Sequence, residues 1–274
     1  MDNLLTFEVL TYAAAFGVAA LIAGLLAGIF GIGGGAVLVP VLYQFLLLME
    51  VDASVAMHVS IGTSLGIIIP TSLRSFTSHK KRGTVDLVHL KNWLVPIPVG
   101  VVLASVVAAY ISGGGLRAIF AVIAFVVALR LLFNRDSWRL GEDLPSGIGN
   151  TICGVVFGFV STLMGIGGGV LNNTYMTLFG RPMHQAVATS AGVGVLISIP
   201  GVIGYIWAGW GNEFLPPYSL GYVNVLAVLL VMPITVLVAP LGVKISHAMS
   251  KRALEFSFGL FLLVVSARFA ATLI

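Results

Sequence analysis

The sequence predicts an all-α polytopic membrane protein, an inverted-topology internal repeat of about 8–10 membrane helical segments that include two glycine-broken hairpins. Three observations predict it. Hydrophobic residues make up 58% of the 274 and charged residues only 9%, whereas a soluble domain carries about 25% charged residues. Apolar runs such as 8–30 and 220–243 approach the roughly 20 residues that cross a bilayer as helix. The pentapeptide GIGGG stands at 31–35 and again at 165–169, although glycine costs about 1 kcal/mol against alanine inside a helix. Strand-like alternation is absent and the runs are too long for barrel strands, which leaves helices as the spanning element.

Taken in order, the first apolar segment covers 8–49 and is interrupted by GIGGG. It follows Asp2 and Glu8 rather than a basic run, and no small-residue cleavage pattern succeeds it, so it reads as retained helix and not as a signal peptide. Segments at 53–77, 93–111 and 115–133 come next, and the order then recurs as 147–180, 184–208, 220–243 and 251–273. Local matches support the recurrence. AMHVSIGTSLGIIIP (56–70) lies over AVATSAGVGVLISIP (186–200), and LRAIFAVIAFVVALR (116–130) over LEFSFGLFLLVVSAR (254–268). With the two GIGGG runs these blocks keep one order, which divides the chain into a first membrane repeat, 1–138, and a second, 139–274.

Charge sets the orientation. Lys80, Lys81, Arg82 and Lys91 fall in one loop, Arg135 and Arg139 in a second, and Lys244, Lys251 and Arg252 in a third. By the positive-inside rule these loops are cytoplasmic. Segments 49–54, 112–115 and 209–219, which carry no lysine or arginine, then face the other side, and both termini are expected outside. Trp93, Trp138, Trp207 and Trp210 lie at segment ends, as an interfacial aromatic belt requires. Corresponding segments of the two repeats run in opposite directions, the arrangement of secondary transporters that bind substrate near the midplane. For the charges to balance, 8–49 and 147–180 must each enter and leave on one side, with GIGGG near the turn.

A turn at membrane depth leaves amides unpaired, which is tolerable only where they line a polar cavity or meet a ligand. Gly31, Gly33, Gly34 and Gly35, with Gly165, Gly167, Gly168 and Gly169, are therefore candidate substrate-binding residues, their N–H groups and the following helix dipoles presenting a positive end to an anion. The alternative is that the same runs are close helix-packing surfaces. Asn172 and Asn173 follow the second run as amide donors or helix caps, and Ser60, Thr63, Ser64, Thr189 and Ser190 supply hydroxyls that either meet the substrate or bond back to their own helix. Arg74 is an anion attractor or a side chain that snorkels to the interface. His58 is the proton-handling candidate, against a purely structural histidine. No metal spacing surrounds the single cysteine, Cys153, and no cofactor motif is present. Walker, HExxH and GxSxG signatures are absent, so no enzymatic activity is expected, and the short charge clusters give no support for nucleic-acid binding.

The paired GxGGG runs, the VLVP that follows the first, the HVSIGTS block and the basic HKKRGTVD loop resemble the TauE/SafE family of sulfite exporters, also called the toluene sulfonate uptake permease family. The resemblance covers essentially the whole chain. It implies a carrier in a bacterial cytoplasmic (inner) membrane for a small sulfur-containing anion, sulfite or an organosulfonate such as sulfoacetate. Export by alternating access is the expected direction, with an anion channel or an uptake permease for another organic anion as the alternative. The coupling ion (proton, sodium or the membrane potential alone) and a homodimeric assembly stay open. The second repeat departs from the first, with NNT at 172–174 where LVP stands at 38–40.

Overall fold

The computed structural model describes residues 14, 16–26, 35–133 and 140–273. Its described part is all-α apart from one two-stranded ribbon. Helices α1 (Phe16–Leu26), α2 (Gly35–Leu48), α3 (Ala53–Lys81), α4 (Leu87–Asn92), α5 (Pro96–Tyr110) and α6 (Gly113–Leu132) belong to the first part of the chain. Helices α7 (Ile148–Leu163), α8 (Gly169–Leu178) and α9 (Met183–Ala208) follow, then strands β1 (Ser219–Leu220) and β2 (Val223–Asn224), α10 (Val225–His247) and α11 (Lys251–Ala271). Four of these, Ala53–Lys81, Gly113–Leu132, Met183–Ala208 and Arg252–Ala271, are long and apolar enough to cross a membrane.

Helix starts follow from local chemistry. Asp52 accepts from Ser54 N at 2.8 Å, Ser112 from Gly115 N at 3.1 Å, and Ser250 from Ala253 N at 3.2 Å, each satisfying an amide that has no partner within its own helix. Two elements were not expected. Asp86 caps α4 by accepting from His89 N at 3.0 Å, which makes a short helix of what reads as loop. The β1–β2 ribbon precedes α10, and Asn224 caps that helix through Ala227 N at 2.8 Å.

α3 packs against α9 and α6 against α11, while α5 lies on α7 and α9, and α10 on α3. Gly24 of α1 rests on α10, where an added Cβ would stand 2.9 Å from Thr235 Cα. The ends of the bundle separate by charge. Gly113 abuts the Ser54 carbonyl, and His58 meets both Ile111 and Tyr222, so the three segments without lysine or arginine meet at one end. Elsewhere Arg252 donates to Leu132 O at 2.6 Å, which brings the third basic loop to the flank of the second, and Leu140 N donates to Leu178 O at 2.9 Å. Trp207 and Trp210 are 56% and 70% exposed, as an interfacial belt requires. Trp93 is not part of such a belt: it is wholly buried and donates to Asn150 Oδ1 at 2.9 Å. Gly31, Gly33, Gly34, Arg135, Trp138 and Arg139 lie outside the described residues.

α7 and α8 form the hairpin anticipated for 147–180, joined by a turn at 164–168. Helix α8 has 10 residues and so rises about 15 Å, half of a roughly 30 Å hydrocarbon core.

Candidate functional site: the glycine turn between α7 and α8

The turn closes by backbone bonds from Gly165 N to Thr162 O (3.1 Å) and from Ile166 N to Ser161 O (2.9 Å). Gly165 and Gly168 hold φ of +62° and +74°, the left-handed region that glycine enters without a Cβ penalty. Gly168 is also the N-cap of α8 and, lacking a side chain, leaves the first turn of that helix without a side-chain cap.

Packing fixes the turn between the halves. A Cβ on Gly35, the first residue of α2, would stand 2.5 Å from Gly165 O and 2.7 Å from Ile166 Cα, so the close of the first GIGGG lies directly on the second. Gly167 faces Ile68 and Ser72 of α3 and Gly194 of α9. Ser64 donates to Gly165 O at 2.9 Å, pairing a carbonyl that would otherwise be buried without a donor. Ser64→Ala is expected to destabilise the protein by about 1–3 kcal/mol, the cost of a stranded buried acceptor, read by thermal unfolding in detergent.

Next to the turn, Asn172 Nδ2 donates to Ser190 Oγ at 2.7 Å and Ser190 Oγ donates to Asn173 Oδ1 at 2.7 Å. Asn172 is 1% exposed and its Oδ1 has no hydrogen-bond partner. α8 and α9 thus bring Asn172, Asn173 and Ser190 together as one polar group. The remaining candidates are dispersed. Ser60 bonds back to Ala56 O at 2.7 Å. Thr63 accepts from Asn224 N at 2.9 Å, and Thr189 accepts from Asp86 N at 2.9 Å, so each ties a loop to a crossing helix. His58 is buried near the end without basic residues, its Nε2 3.1 Å from Ile111 O and its ring stacked on Tyr222 at 4.5 Å. Arg74 is exposed on the outside of α3. Arg130 donates to Thr174 of α8.

Residues 16–269 match the family described as sulfite exporter TauE/SafE. The chain belongs to the TauE/SafE sulfite exporter family. It is 31% identical over 245 residues to a probable membrane transporter protein of Haemophilus influenzae, covering 89% of this chain and 93% of that one. A probable membrane transporter protein of Methanocaldococcus jannaschii is 29% identical over 261 residues, 92% of each chain. The similar protein YunE of Bacillus subtilis is 28% identical over 212 residues, 70% of this chain and 77% of the relative. No solved structure matches it significantly. The protein is a membrane transporter of the TauE/SafE type.

In this TauE/SafE transporter one polar residue of the site escaped the reading of the sequence. His89 of α4 is 3% exposed, its Nε2 has no hydrogen-bond partner, and its ring lies 4.1 Å from Trp93 and 6.0 Å from Tyr175. Burial lowers its pKa below the ordinary value and the Arg181 charge pushes the same way, against Asn172 and Asp86, so the imidazole is neutral at neutral pH. The available signal was Asp86 three residues earlier, an N-cap that folds the loop inward and buries the histidine.

Proposed function

We propose that the protein is a secondary carrier for sulfur-containing anions, sulfite or an organosulfonate such as sulfoacetate, that exports them by alternating access. The observation that carries this reading is the contact of Gly35 with Gly165 and Ile166, which joins the two glycine runs at one place. There the uncapped start of α8 offers amides and a positive dipole end, with the Asn172–Ser190–Asn173 group beside it. Two repeats, 1–138 and 139–274, related by a pseudo-two-fold axis would pair α3 with α9 and α6 with α11, and would make α5 on α7 the counterpart of α10 on α1. The packing of α3 on α9, α6 on α11, α5 on α7 and α1 on α10 supports this pairing. Residence in an inner membrane with both termini outside follows from the basic loops, and an inside-negative potential would drive an anion outward by about 2.3 kcal/mol per charge per 100 mV.

Flux into proteoliposomes tests the reading, with sulfite, sulfoacetate, thiosulfate and sulfate supplied in parallel under an imposed potential and then an imposed pH gradient. The expected result is saturable flux of one sulfur anion, with the driving gradient naming the coupling. Non-saturating conductance would favour a channel, and no flux from folded protein would remove the sulfur-anion assignment.

A further inference from the structure

A second polar concavity opens at the end of the bundle that carries the basic loops. It is a cleft of about 720 Å³ between α4, the segment 144–148, the first turn of α7 and Arg181. The start of α7 lines it through Gly147, Ile148 and Asn150. Gly147, the N-cap, has φ +64° and provides no side-chain cap bond to that 16-residue helix, so the amides of the first turn and the positive end of the dipole face the cleft. Asn150 adds its amide: Trp93 donates to its Oδ1 at 2.9 Å, which leaves the NH₂ as the portion of the side chain available to the cleft. Arg181 contributes the guanidinium, and its Nε is buried without a partner. An independent sign of a missing ligand is Asn150 itself: it is 5% exposed, lines the cleft, and its NH₂ makes no hydrogen bond among the described residues.

Two carboxylates adjoin these donors. Asp86 is committed to the α4 cap. Asp143 holds Arg181 NH2 at 3.5 Å, but its side chain is 85% exposed, and an exposed pair of this kind contributes little and exchanges readily.

We propose that this cleft is a recruitment site for a small oxyanion, in which Arg181, the Asn150 amide and the N-terminus of α7 hold the anion and displace Asp143 from the guanidinium. The site rests on the carrier reading for its biological use, since its inner wall, His89, faces Asn172 of the polar group beside the glycine turn. Its chemistry is that of a sulfite, sulfonate, sulfate or phosphate oxygen face, and Asp143, negative like the ligand and paired with Arg181, is a built-in competitor.

Binding is measured directly, by calorimetric titration of the full chain in nanodiscs with sulfite, sulfoacetate, sulfate and phosphate, so that no transport step is needed. Arg181→Gln is expected to weaken binding of the best of these by about tenfold or more, the scale of one charge-assisted bond. Asp143→Asn, at a side chain that is 85% exposed, is expected to tighten it several-fold. Trp93, bonded to Asn150, should report occupancy as a change in emission. Unaltered affinity in both variants, or no binding of any of the four anions by the unmodified protein, overturns the site. Flux separates this from the carrier reading. Saturable transport with a KM untouched by either variant rejects the cleft and leaves the carrier, whereas anion binding that Arg181→Gln removes, in a protein without flux, supports the cleft and rejects the carrier.

Discussion

Gly35→Val is expected to abolish anion transport, lowering flux by roughly a hundredfold, while the protein still reaches the membrane. The first atom added would stand 2.5 Å from Gly165 O and 2.7 Å from Ile166 Cα, and both neighbours are backbone that cannot rotate away. Overpacking of this kind typically costs about 1–3 kcal/mol. That cost falls on the contact between the start of α2 and the α7–α8 turn and leaves the outer helices alone. Flux assays paired with size-exclusion profiles check it, and full transport by the variant would show that the halves need not meet there.

Gly168→Ala is expected to reduce both stability and transport. Its φ of +74° disfavours any side chain, by about 1–2 kcal/mol. The methyl group would also stand 2.7 Å from Val193 Cγ1 and 2.9 Å from Ile197 Cδ1 of α9. A loss of roughly 2–4 kcal/mol follows from the two effects together. Gly17→Ala is the matched control: it lies on α1 with nothing within 4 Å of an added Cβ, and helix propensity alone should leave it neutral or stabilised by up to about 1 kcal/mol. Thermal unfolding of the three proteins in one detergent gives the comparison.

The helical spans were legible because apolar length and charge placement act along the chain. The span anticipated at 53–77 runs to Lys81, and that at 184–208 starts one residue earlier at Met183. Pro70 and Pro200, matched in the sequence blocks, both sit inside the long helices they were expected to share. Asn172 and Ser190 were named separately, but their bond at 2.7 Å depends on how α8 meets α9, a tertiary fact with no local signal. Hydroxyls show the same limit. Ser60 and Ser64 are one helical turn apart, yet one bonds back to its own helix and the other supports the glycine turn 101 residues away. Trp93 illustrates the converse: a tryptophan at a segment end reads as interfacial until α7 is seen to cover it.

Alternating access at the glycine turn is the central claim, and thiol labelling tests it most directly. Ser72 is half-buried on α3 beside Gly167 and Gly194, and a cysteine there is nearly isosteric. In a Cys153→Ser background, Ser72→Cys would be labelled in proteoliposomes with a membrane-impermeant maleimide from each side, with and without saturating sulfite. The account predicts labelling that sulfite slows, and accessibility that passes from one side to the other when the anion gradient is reversed. Labelling that saturating sulfite leaves unchanged, or equal access from both sides under every gradient, would contradict it.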